Sequence, residues 1–307
     1  MSQATLRIEK ISGHSGSVPG EGMYRNVKDR QVCKLIDTTT CIGCKACEIA
    51  CQEWNDLPFA ATSFDNTYQT MPDTSWNYWN LIRFQEYERP NSDGSTTMMF
   101  LMRKDQCMHC AEPGCLEACP ADGAIVQYSN GIVDFQSDRC IGCGYCITGC
   151  PFNIPKFHPA TRKVHKCTLC SDRVAEGLEP ACIKACPTGC LHFGTKEDMT
   201  FLANQRAKQL REHYGMAEAG VYDPPGVGGT GVIYVLHDAT KPELYGGLPK
   251  DPHISWAVKL WKHPLKWLGN FAMIGGAIGL FTHYLRYGPK LEHKNGNAPT
   301  SGQGGAQ

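Results

Sequence analysis

The residues of this chain with the clearest capacity for chemistry are its cysteines, 18 among 307 residues. Most of them form four runs of four, and proline follows the last cysteine of the second, third and fourth runs. The runs are Cys41, Cys44, Cys47 and Cys51; Cys107, Cys110, Cys115 and Cys119; Cys140, Cys143, Cys146 and Cys150; and Cys167, Cys170, Cys182 and Cys186. Runs one and three have the spacing C-x2-C-x2-C-x3-C, which is typical of ligands to [4Fe–4S] clusters. The runs together predict four such clusters.

An iron–sulfur cube needs one thiolate at each iron. A C-x2-C-x2-C loop surrounds three corners of one cube, and the cysteine three residues later ligates the neighbouring cube. Zinc sites are an alternative, but they usually join two C-x2-C pairs instead of placing three cysteines in one short loop. Disulfides are another alternative, which loop geometry disfavours within most C-x2-C pairs. We therefore favour iron–sulfur clusters over both.

The stretch between runs two and three indicates how the runs pair. Residues 124–128 and 132–135 read as two short strands around an Asn130-Gly131 turn, and a bacterial two-cluster ferredoxin has this order of elements. Runs two and three are therefore predicted to share two clusters, which leaves runs one and four to each other. The alternative pairs run one with run two and run three with run four. This alternative is less favoured, because no short connection joins runs one and two and no clear hairpin lies between runs three and four.

This pairing defines four predicted ligand groups, and no catalytic residue is predicted. Group I is Cys41, Cys44, Cys47 and Cys186; group II is Cys51, Cys167, Cys170 and Cys182; group III is Cys107, Cys110, Cys115 and Cys150; and group IV is Cys119, Cys140, Cys143 and Cys146. The remaining Cys33 and Cys190 are expected to be buried free thiols that pack as small hydrophobic side chains.

Other segments must position these groups. Residues 81–84 and 97–102 read as strands around a turn, and Thr195 to Gly215 reads as a helix that Thr195 and Asp198 cap. The glycine-rich residues 226–231 precede the predicted strand 232–236. A dinucleotide site needs the reverse order, a strand before the loop and a helix after it. We therefore do not predict nucleotide binding there.

The C-terminal part differs in composition. Residues 267–285 contain no Asp, Glu, Lys or Arg, and tryptophan and tyrosine lie at both ends. A helix of this length spans roughly 28 Å, close to the thickness of the hydrocarbon core of a bilayer. This favours a single transmembrane anchor over a buried soluble helix, although similar basic flanks leave its orientation undecided. His283 is expected to be a hydrogen-bonding or interfacial histidine rather than a haem ligand.

The predicted fold class is α+β, with two nested bacterial-ferredoxin-like two-cluster modules plus one C-terminal transmembrane helix. Lys plus Arg and Asp plus Glu both number 30, so no basic surplus indicates nucleic acid as a partner. No cleavable signal is visible over residues 1–20. The predicted boundaries are 1–33 for an N-terminal extension, 34–106 with 160–250 for the outer module, 107–159 for the inner module, 251–290 for the membrane anchor, and 291–307 for a disordered tail.

Several stretches resemble the iron–sulfur (beta) subunits of membrane-bound respiratory formate dehydrogenases of the N/O type. The matching stretches are residues 41–47, 139–146, 150–155, 166–170, 186–189 and 246–252. The first three of these stretches are shared by many four-cluster subunits, whereas the chain from His192 through the anchor is more specific.

The resemblance implies a non-catalytic electron-transfer subunit. A catalytic alpha subunit with a molybdenum or tungsten bis-pterin site would oxidise formate, and a cytochrome b gamma subunit in the inner membrane would reduce quinone. The outer module would face alpha and the inner module the membrane. The soluble part would lie in the periplasm, exported together with alpha. Two alternatives stay open: an equivalent subunit of a membrane-bound hydrogenase or another molybdopterin oxidoreductase, and a free-standing membrane polyferredoxin.

Overall fold

The computed structural model describes residues 31–59, 67–90 and 93–288. Most of the predicted N-terminal extension (1–33) and the whole predicted tail (291–307) lie outside these ranges. Strand β1 (Val32–Asp37) includes the last two residues of that extension. The contacts divide the chain into two compact units, with the division between Lys259 and Leu260.

A four-stranded mixed sheet joins segments that are distant in sequence. Its strand order is β8 (Leu191–Thr195), β1, β10 (Val232–Leu236) and β9 (Gly220–Tyr222). Strand β1 runs parallel to β10 and antiparallel to β8, with Leu35 opposite both Ile233 and His192. The sheet therefore holds the chain just before cysteine run one beside the chain just after run four.

Helix α6 (Lys196–His213) covers one face of this sheet. The Thr195 side chain accepts a hydrogen bond from the backbone N–H of Asp198 at 3.1 Å, which confirms the predicted start of the helix. The buried face of the helix packs with Cys33 and Leu35 of β1. Because side chains alternate across a strand, Lys34 and its neighbours at positions 32 and 36 face the other side. That side of the sheet faces the cysteine runs.

The cysteine runs lead into short helices. These are α1 (Ala46–Trp54), α2 (Gly114–Ala118), α3 (Tyr145–Gly149), α4 (Ser171–Ala175) and α5 (Ala181–Lys184). Helix α1 packs against α5, and α2 packs against α3. Helices from run one and run four therefore lie together, as do helices from runs two and three.

Three antiparallel hairpins complete the first unit. Strands β4 (Ile125–Gln127) and β5 (Val133–Phe135) pair between runs two and three and confirm the predicted hairpin. Strands β2 (Leu81–Pro90) and β3 (Thr96–Asp105) confirm the second predicted pair and are longer than expected. The pair β6 (Lys156–Phe157) and β7 (Val164–His165) was not predicted. Short 3-10 turns cover Pro225–Val227 and Pro242–Leu244.

The C-terminal segment is helical. Helix α7 (Trp256–Leu260) is followed by a π-helical turn (Trp261–Leu265) that contains Pro264, and then by α8 (Lys266–Tyr287). The helix expected at 267–285 is thus present, and none of its residues is buried. By length and hydropathy, however, no helix within the described ranges is apolar enough to cross a bilayer, in contrast to the transmembrane segment predicted there.

Candidate iron–sulfur sites

The predicted ligands lie in loops, within the short helices, or directly after them, as Cys119 and Cys150 do at the ends of α2 and α3. Cys143 lies in the loop before α3, in which Gly142 has a left-handed backbone with φ of 70°. A Cβ atom at position 142 would lie 2.5 Å from the carbonyl oxygen of Arg162. Only glycine combines this conformation with this close approach. The loop of run three is therefore shaped by its backbone as well as by its cysteine spacing.

Groups III and IV each contain cysteines from both inner runs. Burial, together with the neighbouring thiols of Cys119, Cys140 and Cys143, raises the pKa of Cys146 to about 12. These four residues are the predicted group IV.

The other inner group also crosses between runs. Burial raises the pKa of Cys110, and the thiols of Cys107, Cys150 and Cys115 add to the effect. The structure thus brings Cys150 of run three to the cysteines of run two, which are the other members of predicted group III.

Groups I and II are assembled from the outer runs. Burial raises the pKa of Cys51, and Cys167, Cys182 and Cys170 raise it further, so the four residues of predicted group II are neighbours. A single pocket is lined by the four cysteines of predicted group I, Cys41, Cys44, Cys47 and Cys186.

Contacts between a tryptophan and two charged residues connect run one to run four. The indole N–H of Trp54 at the end of α1 donates to Asp172 Oδ2 at 2.9 Å. The guanidinium of Arg173 lies 4.2 Å from the centroid of the same indole ring. Both partners belong to α4, which follows Cys170. These contacts hold Cys51 and Cys170 on adjoining elements.

Cysteines of different groups share buried clusters. Cys47 of group I, Cys182 of group II and Cys110 of group III belong to one cluster, and Cys107 of group III shares another with Cys167 of group II. A third buried cluster contains Cys115 of group III and Cys146 of group IV. Besides burial, Cys182 raises the pKa of Cys47, Cys167 that of Cys107, and Cys146 that of Cys115, so group I adjoins II, II adjoins III and III adjoins IV. Cys44 in group I and Cys143 in group IV are exposed, so both ends of this line of groups reach the surface.

The chemistry of these groups fits iron–sulfur clusters. All 18 cysteines lie in the described ranges, and none forms a disulfide. Neighbouring buried thiols that raise one another's pKa need a bound cation before all four can ionise together. Within the described residues, no three His, Cys, Asp or Glu side chains converge closely enough to hold a single metal ion. A cube spreads its ligands over four irons and does not require such convergence.

Two buried polar atoms also fit a bound group. Within the described residues, Gln106 Nε2 and His109 Nε2 have no hydrogen-bond partner. The other ring nitrogen of His109 accepts from the backbone N–H of Val133 at 3.1 Å, so Nε2 carries the hydrogen. Both orphaned atoms are therefore donors. Cluster sulfur atoms accept hydrogen bonds of this kind.

Sequence reasoning missed three buried lysines beside these groups. Lys34, Lys104 and Lys166 are at most 2% exposed. Lys34 Nζ donates to Cys182 Sγ at 3.1 Å. Burial lowers the pKa of Lys34, but the thiolates of Cys182 and Cys167 outweigh it and hold the pKa above its ordinary value. No spacing rule identifies these residues, because only the folded chain brings them to the cysteines.

The two extra cysteines differ in their surroundings. Both are buried, as expected, and Cys33 lies under helix α6. Cys190 lines the group I pocket, with its Sγ 3.5 Å from that of Cys186. A hydrogen bond with Cys190 lowers the pKa of Cys41. Group I therefore has a fifth thiol next to its four predicted ligands.

Three known families match parts of the chain. A 4Fe-4S dicluster domain family matches residues 98–196, and a second family of the same description matches residues 40–124. The family described as "Formate dehydrogenase N, transmembrane" matches residues 254–295. The chain thus contains two ferredoxin-like dicluster domains followed by a segment similar to a membrane-associated one.

Similar proteins extend along nearly the whole chain. The formate dehydrogenase iron-sulfur subunit of Haemophilus influenzae is 53% identical over 291 residues, which is 94% of this chain and 90% of that protein. The nitrate-inducible formate dehydrogenase iron-sulfur subunit of Escherichia coli is 52% identical over 292 residues, which is 95% of this chain and 97% of that protein. The formate dehydrogenase-O iron-sulfur subunit of Escherichia coli is 53% identical over 270 residues, 87% of each chain.

Proposed function

This chain belongs to the family of formate dehydrogenase iron–sulfur subunits, and from that premise we propose that groups I to IV hold four [4Fe–4S] clusters in a single relay. It is an electron-transfer subunit of a formate dehydrogenase, not the subunit that oxidises formate. Its [4Fe–4S] domains supply one-electron carriers when loaded. The sixteen ligands are those of groups I to IV, and the two modules are nested, with residues 107–159 inside 34–106 and 160–250.

The observation that carries this proposal is that cysteines of successive groups are near neighbours. Besides burial, Cys182 raises the pKa of Cys47, Cys167 that of Cys107, and Cys146 that of Cys115. All six cysteines are at most 8% exposed, so the junctions between the groups are buried. The exposed Cys44 and Cys143 give the relay one entrance and one exit.

Apolar side chains protrude at both ends. Ile42 is 61% exposed beside Cys44, and Ile141 is 67% exposed beside Cys143. We take these side chains as part of the surfaces that the partner subunits cover. We assign the group I end to a catalytic alpha subunit with a molybdenum or tungsten bis-pterin site. The group IV end is assigned to a cytochrome b gamma subunit that reduces quinone.

The C-terminal segment is proposed to anchor the complex in the cytoplasmic membrane. Support comes from the match of residues 254–295 to a family described as transmembrane and from the exposed apolar side chains of α8. A Cβ atom added at Gly275 or Gly279 would meet nothing within 4 Å, so this face is open for close packing of a partner helix. By the family resemblance, the soluble part lies on the periplasmic side.

The iron content tests the proposal directly. The complex purified without oxygen should contain about 16 iron atoms in this chain, because sixteen thiolates match four cubes. Iron and zinc are measured by mass spectrometry after separating the contribution of the catalytic subunit. Reducible centres are counted by electron paramagnetic resonance. Half this iron content, or zinc in its place, would contradict the relay.

Removal of residues 267–307 tests the anchor. This truncation is expected to release the catalytic subunit and this chain from membranes, while formate oxidation with an artificial dye continues. The physical reason is that the truncation removes the exposed apolar surface of α8 but no cysteine. Activity in membrane and soluble fractions gives the measurement. Removal of residues 291–307 alone is the control and should leave the complex on the membrane. Loss of dye-linked activity would show that the segment does more than tether.

A further inference from the structure

The three buried lysines form a pattern that the ligand assignment does not explain. Lys34 Nζ donates to Gln106 Oε1 at 3.1 Å, and Lys104 Nζ donates to the same oxygen. Lys166 Nζ donates to the carbonyl oxygen of Val133 and, at 3.0 Å, to that of Cys167. Within the described part of the chain, none of the three lysines forms a salt bridge with a carboxylate.

Such an arrangement is unfavourable for the protein alone. A buried ammonium group loses its hydration and needs an opposite charge nearby. Lys34 and Lys104 also repel each other, since both bind one neutral amide oxygen. A negative charge close to both lysines would compensate this cost.

The buried carboxylates of Asp134 and Glu48 interact electrostatically with Lys166 and Lys104 but form no salt bridge with them, and the cysteine groups are the other negative charges within reach. Lys34 is hydrogen bonded to Cys182 of group II. Lys104 lines the pocket of group I and, together with Lys34, offsets burial to lower the pKa of Cys182 of group II. Lys166 stands directly before Cys167 of group II and interacts with Cys107 of group III. A cube with four thiolates is anionic and becomes more so by one charge on reduction.

We propose that Lys34, Lys104 and Lys166 are the counter-charges of the relay and raise the reduction potentials of the centres in groups I, II and III. Each ammonium favours the more negative, reduced state of the centre beside it. Lys104 acts at groups I and II, Lys34 at group II, and Lys166 at groups II and III. The lysines are positioning residues and ligate no iron. This inference rests on the proposed function only in that the groups hold iron–sulfur clusters.

The test compares two variants of one lysine in the intact complex. Lys34→Met removes both the charge and the hydrogen bond, whereas Lys34→Gln removes the charge and keeps a donor. Both should lower the potential of the group II centre, with at least a tenfold smaller equilibrium constant for its reduction, or about 59 mV for a one-electron couple. Redox titration followed by electron paramagnetic resonance gives the potential. The group II signal is identified by its loss in Cys167→Ser.

The group IV centre and a second lysine serve as controls. The group IV potential should not change in either variant. Lys196→Met should leave every potential unchanged, because Lys196 is partly exposed and already paired with Asp223 at 2.5 Å.

Each result decides the proposal. An unchanged group II potential in both variants, with the full iron content, would overturn the counter-charge role while leaving the relay intact. A shift in Lys34→Met but not in Lys34→Gln would also overturn it, because the hydrogen bond would then be responsible. If both variants lose the group II centre, Lys104→Gln is measured in the same way at groups I and II.

Discussion

Cys150→Ser is expected to remove the same iron–sulfur centre as Cys115→Ser, although the two residues belong to different cysteine runs. Both thiols contribute to the raised pKa of Cys110, and Cys150 is the largest thiol contributor at Cys115. Each variant should retain about 12 of the 16 iron atoms and lack one signal, the same one in both. Iron analysis and electron paramagnetic resonance of the purified complexes give the measurement.

The same variants should interrupt the relay. Group III lies between group II and group IV, so its loss leaves a gap in the line. Formate oxidation coupled to quinone should therefore be lost, whereas oxidation coupled to a dye that accepts electrons at the catalytic subunit should continue. Cys33→Ala is the matched control, because Cys33 is fully buried but lies in the core beneath α6. It should keep four centres and both activities.

Different centres lost in Cys115→Ser and Cys150→Ser would contradict the crossed pairing of runs two and three. The sequential pairing would then be favoured, and the nested modules would have to be abandoned.

Gly149→Ala is expected to disrupt the contact between α2 and α3. The helices approach so closely that a Cβ atom at position 149 would lie 2.5 Å from the carbonyl oxygen of Gly114 and 2.7 Å from Ala118 Cβ. Backbone atoms at such distances must move apart, and overpacking of this kind costs about 1–3 kcal/mol. Because α2 carries Cys115 and α3 carries Cys146, centres III and IV should be lost first on warming.

The measurement is the loss of each signal after incubation at increasing temperature. Gly269→Ala provides the control, since a Cβ atom there would meet nothing within 4 Å. Gly269→Ala should lose each signal at the same temperature as the unsubstituted protein. Equal thermal loss of all four centres in Gly149→Ala would show that the α2–α3 contact does not limit the stability of the inner module.

Local patterns were sufficient to predict several elements. The Asn130-Gly131 turn between β-branched residues predicted the hairpin of β4 and β5, and Thr195 with Asp198 predicted the start of α6. Such features depend on residues only a few positions apart. The mixed sheet was not predicted, because the parallel pairing of β1 with β10 joins residues about 200 positions apart in sequence.

The sequence by itself determined the kind of chemistry: cysteine spacing reflects how one short loop surrounds an iron cube, and this is a local property of the chain. Only the tertiary structure decided the surroundings of each group. Lys34 adjoins Cys182, which is 148 positions away, because one face of β1 turns toward α5 while the other packs against α6. Burial and electrostatic environment arise from contacts between distant segments, and no spacing within one run encodes them.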